Sequence, residues 1–213
     1  MYISTENYEQ MYLKDKDEKA IALEVEKLRR EIDRVKTKLE SPAYVRDSLA
    51  YPPESAVIDV YRGYFELAAD RLASLKGGTS VLTEEEKTSK IVNSMVEDIS
   101  CLTLTVGRYL QDKYELKIEH NEAEIFKTRL GEGTTRKAVD KASALKVITS
   151  LYMGEWKEIY TPEQYGCTLN EPTRWEVRID YVGKKSPRFY DGIGVFPYNF
   201  NILTDFLGAD IID

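Results

Sequence analysis

The stretch RWEVRIDY, residues 174 to 181, alternates strictly between apolar and polar side chains. A period of two over eight residues is typical of a β-strand with one buried face. The expected buried face holds four residues: Trp175, Val177, Ile179 and Tyr181. VGKKSP, residues 182 to 187, follows as a turn, and Arg188 to Tyr190 begins a second strand. The sequence therefore predicts a β-hairpin near the end of the chain.

The stretch FYDGIGVFPYNF, residues 189 to 200, continues from this hairpin. Because no acid, base or phosphate-binding spacing surrounds Gly192 and Gly194, we interpret them as positions of special backbone angles or close approach. Pro197 precedes NFNILTDFLG, a predicted short helix that ends at Gly208. We expect four apolar side chains to pack against the Trp175 face: Phe189, Val195, Phe196 and Phe200.

Upstream of the hairpin, the apolar spacing predicts mainly helices. The predicted helices cover residues 15–40, 54–75, 83–113, 121–130 and about 134–152, with one short strand at Tyr114–Glu119. The predicted fold class is α+β and mostly α: a helical body with an N-terminal coiled-coil-like helix and a C-terminal β-hairpin plus short helix. We expect three regions, at residues 1–50, 51–155 and 156–213.

The first helix carries an apolar stripe with heptad spacing. Its members are Ile21, Val25, Leu28, Ile32, Val35 and Leu39. In a parallel dimer Glu24 would face Arg29 and Glu31 would face Lys36, so the pattern permits dimerisation through this stripe. Because the stripe covers under three heptads, packing against the next helices of the same chain is the alternative.

Composition excludes several classes of function. The chain of 213 residues has a net charge of −7, which disfavours sequence-independent nucleic-acid binding. It lacks an apolar run long enough to span a membrane and begins without the pattern of a signal peptide, so we expect a cytoplasmic protein. Two cysteines and one histidine, His120, offer no disulfide framework and no paired-histidine metal site. We predict no catalytic residue, no cofactor and no metal.

The segment GEGTTRK, residues 131 to 137, combines glycines, hydroxyls and bases before a predicted helix. These are the ingredients of an anion site at a helix N-terminus, although the phosphate-loop spacing is absent. The candidate contacts to phosphate or nucleic acid are Arg129, Thr134, Thr135, Arg136, Lys137 and Lys141. The alternative is a glycine loop followed by a threonine cap.

The predicted hairpin turn offers a second candidate surface, because lysines and an arginine lie beside tyrosines. The candidate partner-binding residues are Tyr181, Lys184, Lys185, Arg188 and Tyr190. The alternative is a solvated turn whose charges prevent aggregation of the strand edge.

The segment from Trp175 to Leu207 resembles the tails of small uncharacterised proteins of phages and mobile elements. The resemblance rests on Trp175-Glu176-Val177-Arg178-Ile179, Tyr190-Asp191-Gly192 and Pro197-Tyr198-Asn199, and covers about 30 residues. The resemblance implies a mobile-element origin and a cytoplasmic location in a bacterial host cell. Acidic proteins of this size without a catalytic motif are similar to phage inhibitors of host defence, including anti-CRISPR proteins.

Two hypotheses of function follow. The first is a non-enzymatic protein that binds and inhibits a larger protein or ribonucleoprotein complex, such as a CRISPR effector nuclease, with no membrane partner. The alternative is a nucleic-acid-binding accessory or regulatory protein that acts as a coiled-coil dimer. A phosphate-dependent enzyme that uses GEGTTRK is a third and weaker interpretation.

Overall fold

The computed structural model describes residues 3–44 and 54–210. The chain divides into two compact units, Met1–Glu85 and Glu86–Asp213. The expected boundary between residues 50 and 51 lies outside the described residues.

The first unit is helical. It consists of α1 (Thr5–Tyr8), a π-helical turn (Glu9–Leu13), α2 (Glu18–Glu40) and α3 (Glu54–Leu75). The side chain of Asp17 caps α2 by accepting a hydrogen bond from the Ala20 amide, and α2 ends at Ser41 before Pro42. Lys76, Gly77 and Gly78 follow α3, as the sequence predicts.

The heptad stripe of α2 is covered by its own chain. Ile21, Val25 and Leu28 are buried in one cluster with Tyr64, Phe65, Ala68, Ala69 and Leu72 of α3. Ile32 packs at the margin of this cluster, Val35 is buried and Leu39 is half-buried. The charges flanking the stripe form pairs within α2, Glu24 with Lys27 and Glu31 with Arg34. The apolar face of this stripe is therefore occupied by α3, as in the alternative of packing within the same chain, while dimerisation stays a prediction.

The second unit contains a seven-stranded sheet in the order β4-β3-β2-β1-β6-β7-β5. The strands are β1 (Ile99–Gly107), β2 (Asp112–Glu119), β3 (Glu122–Arg129), β4 (Gly133–Val139), β5 (Ile159–Tyr160), β6 (Arg174–Tyr181) and β7 (Arg188–Ile193). Among the strand pairs of the described residues, β5–β7 is parallel and the others are antiparallel. The prediction of a mostly α fold with a single C-terminal hairpin is wrong: the protein is a sheet-rich α+β fold.

Three predicted helices, at residues 83–113, 121–130 and 134–152, are strands in part or entirely. The helix that begins after Thr83 is α4 (Glu84–Ser94) and ends well before Lys113, because β1 starts at Ile99. Val96, Ile99, Leu102 and Val106 are spaced like a helical stripe, whereas Leu102, Leu104 and Val106 alternate as a strand does. The predicted helix 121–130 is β3, and the predicted strand 114–119 is confirmed within β2.

Two helices cover one face of the sheet. They are α5 (Lys141–Ser150) and α6 (Phe200–Leu207), and their apolar side chains join the core of the unit. Asp140 caps α5 by accepting a hydrogen bond from the Ser143 amide, so the predicted caps Thr134 and Thr135 lie instead within β4. The sheet takes strands from both sides of residue 155, where the sequence suggested a boundary.

The hairpin of β6 and β7 and the helix α6 are confirmed. Trp175 is fully buried, and its Nε1 donates a hydrogen bond of 2.7 Å to the Val195 carbonyl. An added Cβ on Gly192 would lie 2.5 Å from that same Nε1, so Gly192 is required by close approach. Val195 and Phe200 are buried beside Trp175, but Phe189 points to the opposite face and is 57% exposed.

Candidate interaction surfaces

One face of the sheet is not part of the core. We call it the open face and define it by Cys101, Thr103, Thr105, Glu115, Lys117, Glu124, Phe126, Arg136, Arg178 and Phe189. Their strand neighbours in sequence, such as Leu102, Leu116, Ile125 and Val177, point to the core side, where α5 and α6 pack. The open-face side chains are exposed or half-buried.

A single row of the open face crosses six strands. The strand register places Arg136, Phe126, Glu115, Thr103, Arg178 and Phe189 side by side in that order. Because opposite residues of paired strands are neighbours on one face, this row forms a continuous strip across the sheet. Glu115 and Thr103 occupy its centre, and an aromatic ring lies near each end.

Each aromatic ring of the row has a cation above it. The Lys117 ammonium lies 4.8 Å from the centre of the Phe126 ring, and the Arg136 guanidinium lies 5.8 Å from it. The Arg178 guanidinium lies 5.4 Å from the centre of the Phe189 ring. The two arginines also contact carboxylates, since Arg136 pairs with Glu124 and Arg178 donates to Asp180. The open face thus carries both signs of charge around two partly exposed rings.

Cys101 lies near the centre of the open face but is poorly suited to nucleophilic chemistry. Burial raises the pKa of its thiol, so the protonated form prevails at neutral pH. A reactive cysteine requires the thiolate, which needs the opposite shift.

The residues of the predicted anion site do not surround a helix N-terminus. Thr134, Thr135, Arg136 and Lys137 lie in β4, and Arg129 ends β3. The expected geometry of a glycine loop leading into a helix at this point is wrong, because β3 and β4 form a hairpin across Gly131 and Gly133.

Most of the basic side chains of this segment have internal contacts. Arg129 pairs with Asp210 and lowers the pKa of that carboxyl. Arg136 pairs with Glu124, and Lys141 donates a hydrogen bond of 2.7 Å to the His120 carbonyl. Their first role is to tie β3, β4 and the ends of α5 and α6 together, and whether they contact an anion stays a prediction.

The cluster predicted at the hairpin is divided between core and surface. Tyr181 and Tyr190 are buried, and the Tyr190 hydroxyl donates a hydrogen bond of 2.8 Å to the Met153 carbonyl. Tyr181 lies on the buried face that the alternation predicts, and Tyr190 also points inward, so neither ring is available as a surface anchor for a partner. Lys185 pairs with Asp98 at 2.5 Å, whereas Lys184 is exposed and Arg188 half-buried.

Clusters of metal ligands and membrane-spanning helices are both absent from the described residues. His120 is exposed in the turn between β2 and β3. Within residues 3–44 and 54–210, no three histidine, cysteine or acidic side chains converge as metal ligands. The helices in these same ranges are too short or too polar to cross a bilayer.

The open face was not found from the sequence. A signal for it existed, because Glu115, Lys117, Phe126 and Arg178 occupy the polar positions of alternating segments. The helical spacing predicted for residues 99–107 and 122–129 keeps their side chains off a common sheet. Arg136, Arg178 and Phe189 lie in segments that the sequence marks for other reasons, and Glu115 and Lys117 lie in the predicted strand 114–119.

Comparisons with protein-family models, with curated proteins and with solved structures give no match to this chain.

Proposed function

We propose that this chain is a non-enzymatic interaction protein of phage or mobile-element origin. It binds and inhibits a host defence nucleoprotein, such as a CRISPR effector nuclease, and needs no cofactor. The observation that carries this proposal is the row on the open face that runs from Arg136 to Phe189 across six strands. The origin and the kind of partner are supported by the resemblance of the tail from Trp175 to Leu207.

The composition of the open face suits a protein partner. Arginine and aromatic side chains are enriched where proteins bind one another, and they supply a large part of the binding free energy. Phe189 is 57% exposed and is held by Arg178, so it is a preformed apolar anchor. Glu115 and Glu124 on the same face favour a partner surface of mixed charge over a polyanion.

The net charge of −7 supports a basic partner. Nucleoprotein enzymes present basic channels for their nucleic acid, and opposite net charges accelerate encounter at low ionic strength. Association with such a partner should therefore become slower as salt is added, because screening weakens long-range attraction.

The contacts of the basic side chains weigh against the alternative of a nucleic-acid-binding dimer. Arg129, Arg136 and Lys185 already pair with carboxylates, and phosphate binding would have to compete with those pairs. The stripe expected to form the dimer is covered by α3. We therefore place the nucleic-acid interpretation second.

The proposal is tested by mixing the pure chain with defence nucleoproteins of its natural host and measuring co-elution. We expect one of them to form a complex, and Phe189→Ala to weaken that complex about tenfold, since an aromatic anchor contributes 1 kcal/mol or more. Ile91→Ala is the matched control, because Ile91 is also an exposed apolar residue, at 60%, but lies on α4.

Two results would contradict the proposal. One is that no defence nucleoprotein of the host is retained by the chain. The other is that both variants bind as tightly as the parent, which would remove the open face from the interface.

A further inference from the structure

The strand β4 is a free edge of the sheet. It stands last in the strand order, and among the described residues its strand partner is β3 alone. Six of its seven residues are exposed and the seventh, Val139, is half-buried. An edge strand directs alternate backbone N–H and C=O groups outward, where another strand can pair with them.

The edge is preformed rather than frayed. All seven residues pair with β3 in one continuous register, from Gly133 opposite Arg129 to Val139 opposite Ala123. The hydroxyls of Thr128 and Thr134 lie 2.9 Å apart across the pair, and Arg136 is held by Glu124. A segment that pairs with β4 would therefore lose conformational entropy itself, while the strand that receives it is already ordered.

The opposite edge of the sheet is different. β5 has two residues, Ile159 and Tyr160, and pairs in parallel with β7. Short edge strands are one of the means by which proteins avoid pairing with other chains. β4 has no proline and no register shift along its length, so its edge is continuous.

The charge on β4 selects its partner. Arg136 lies on the open face, and Lys137, its neighbour in sequence, lies exposed on the other side of the strand opposite Ile125. A strand paired with β4 therefore meets the Lys137 ammonium on one face of the sheet and, on the other, the Arg136 guanidinium, which an acidic residue would share with Glu124. Opposite charges on adjacent strands stabilise pairing and like charges destabilise it.

We propose that β4 is a docking edge for an extended acidic segment of a partner protein, which adds to the sheet as an eighth strand. The segment carries acidic residues at two adjacent positions, one for Arg136 and one for Lys137. Seven paired residues correspond to about 23 Å of extended chain. Backbone hydrogen bonds supply affinity in this mode of recognition, and alternate side chains supply specificity.

A second copy of this chain fits the edge less well. Antiparallel pairing of two β4 strands would bring two copies of Arg136 and two of Lys137 onto one ladder. In the register centred on Arg136, the two guanidinium groups would stand directly opposite each other. The docking edge shares Arg136 with the open face, but it does not depend on Phe189 or on the identity of the nucleoprotein, so it can hold or fail separately.

The test uses the intact chain and synthetic peptides of alternating threonine and valine. One peptide carries two adjacent glutamates at its centre, a second carries two lysines there, and a third keeps the glutamates but has prolines beside them. Binding is measured by fluorescence anisotropy, and the exchange of backbone amide hydrogens in residues 133–139 is followed in parallel. We expect the glutamate peptide to bind and to slow that exchange, and the proline peptide to do neither, because proline removes the ladder hydrogen bonds.

Charge reversal provides the matched variants. Lys137→Glu should weaken the glutamate peptide about tenfold and strengthen the lysine peptide, since an exposed attraction becomes a repulsion. Lys90→Glu on α4 changes the net charge equally and should leave both affinities unchanged. Lys137 is exposed, so its variant should fold, and the proline peptide tests the same claim on the unaltered chain.

Several outcomes would overturn the inference. One is that no peptide slows exchange in residues 133–139, and another is that the lysine peptide binds as well as the glutamate peptide. Slow exchange in β4 of the chain alone, together with a dimer mass from light scattering, would assign the edge to a second copy. Protection by a single-stranded oligonucleotide instead of the acidic peptide would assign it to nucleic acid.

Discussion

Trp175 organises the core of the second unit. Its ring lies 4.7 Å from that of Phe200 and 5.7 Å from that of Tyr160, measured between ring centres. Gly192 on the neighbouring strand passes directly beneath it, because Trp175 and Gly192 are paired in register. Gly192, the first glycine of FYDGIGVFPYNF, is therefore required by packing against an indole ring rather than by a ligand.

This packing predicts the effect of one added methyl group. Gly192→Ala would place its Cβ within 2.5 Å of the Trp175 ring. Because overpacking forces neighbouring side chains out of position, we expect a loss of about 1–3 kcal/mol in the free energy of unfolding, measured by denaturant titration. Gly63→Ala is the control: its nearest neighbour is Thr5 at 3.6 Å, and alanine in a helix gains up to about 1 kcal/mol. If Gly192→Ala left the free energy of unfolding unchanged, the two strands would not approach each other as closely as described.

Asn199 joins three segments of the same core. Its Oδ1 accepts a hydrogen bond of 2.9 Å from Trp156 Nε1, and its Nδ2 donates one of 2.7 Å to the Leu151 carbonyl. A buried amide with both ends satisfied fixes one arrangement of its neighbours, because a lost partner would leave a polar group without compensation. The Pro197-Tyr198-Asn199 step in the tail thus has a structural role of its own.

At the scale of elements, α2 and α3 form an antiparallel pair with an apolar seam. The heptad spacing of α2 is real, but a stripe of this length serves equally well for a partner in the same chain. The structure selects that second alternative, because α3 follows in sequence and presents Tyr64, Phe65, Ala68 and Leu72 to the stripe.

The seam gives a prediction about both stability and mass. Leu28→Ala should lower the free energy of unfolding by about 2–5 kcal/mol, because Leu28 is buried between the helices. Light scattering should give the monomer mass of 24.5 kDa for parent and variant alike. Leu23→Ala, at a position of α2 that is 63% exposed, should change stability by less than about 0.5 kcal/mol. A parent dimer that Leu28→Ala dissociates would restore the coiled-coil interpretation.

The elements that the sequence predicted correctly have strong local signals. RWEVRIDY alternates without exception, and a glycine-containing turn separates it from the next strand. The meander β1–β4 lacks such clarity, because the spacing from Val96 to Val106 fits both periods and Asn121 resembles a helix cap. In these segments tertiary pairing decides the structure, and pairing between strands is not visible in a local window.

The candidate surfaces depend on that pairing. Phe126 and Phe189 are 63 positions apart in the chain, and only the strand register brings them into one row. The sequence predicts Arg136 and Lys137 as basic residues of an anion site. Their actual placement on opposite faces of an edge strand follows from β4 being a strand at all.

At the scale of the whole molecule, each of the two units has its own apolar core. The proposed activity depends on surface side chains. In this proposal the chain inhibits its target by binding to it and not by modifying it. A protein that blocks by binding inhibits in proportion to the complex formed, whereas an enzyme that modifies its target turns over many copies.

The most direct measurement is a titration of target cleavage by a host defence nuclease at a concentration well above the dissociation constant. We predict that the cleavage rate falls linearly with added chain and reaches its minimum at a fixed small-integer ratio, unchanged by longer incubation. Full inhibition by a small fraction of one equivalent that deepens with time would contradict the account, as would a cleavage rate unaffected by excess chain.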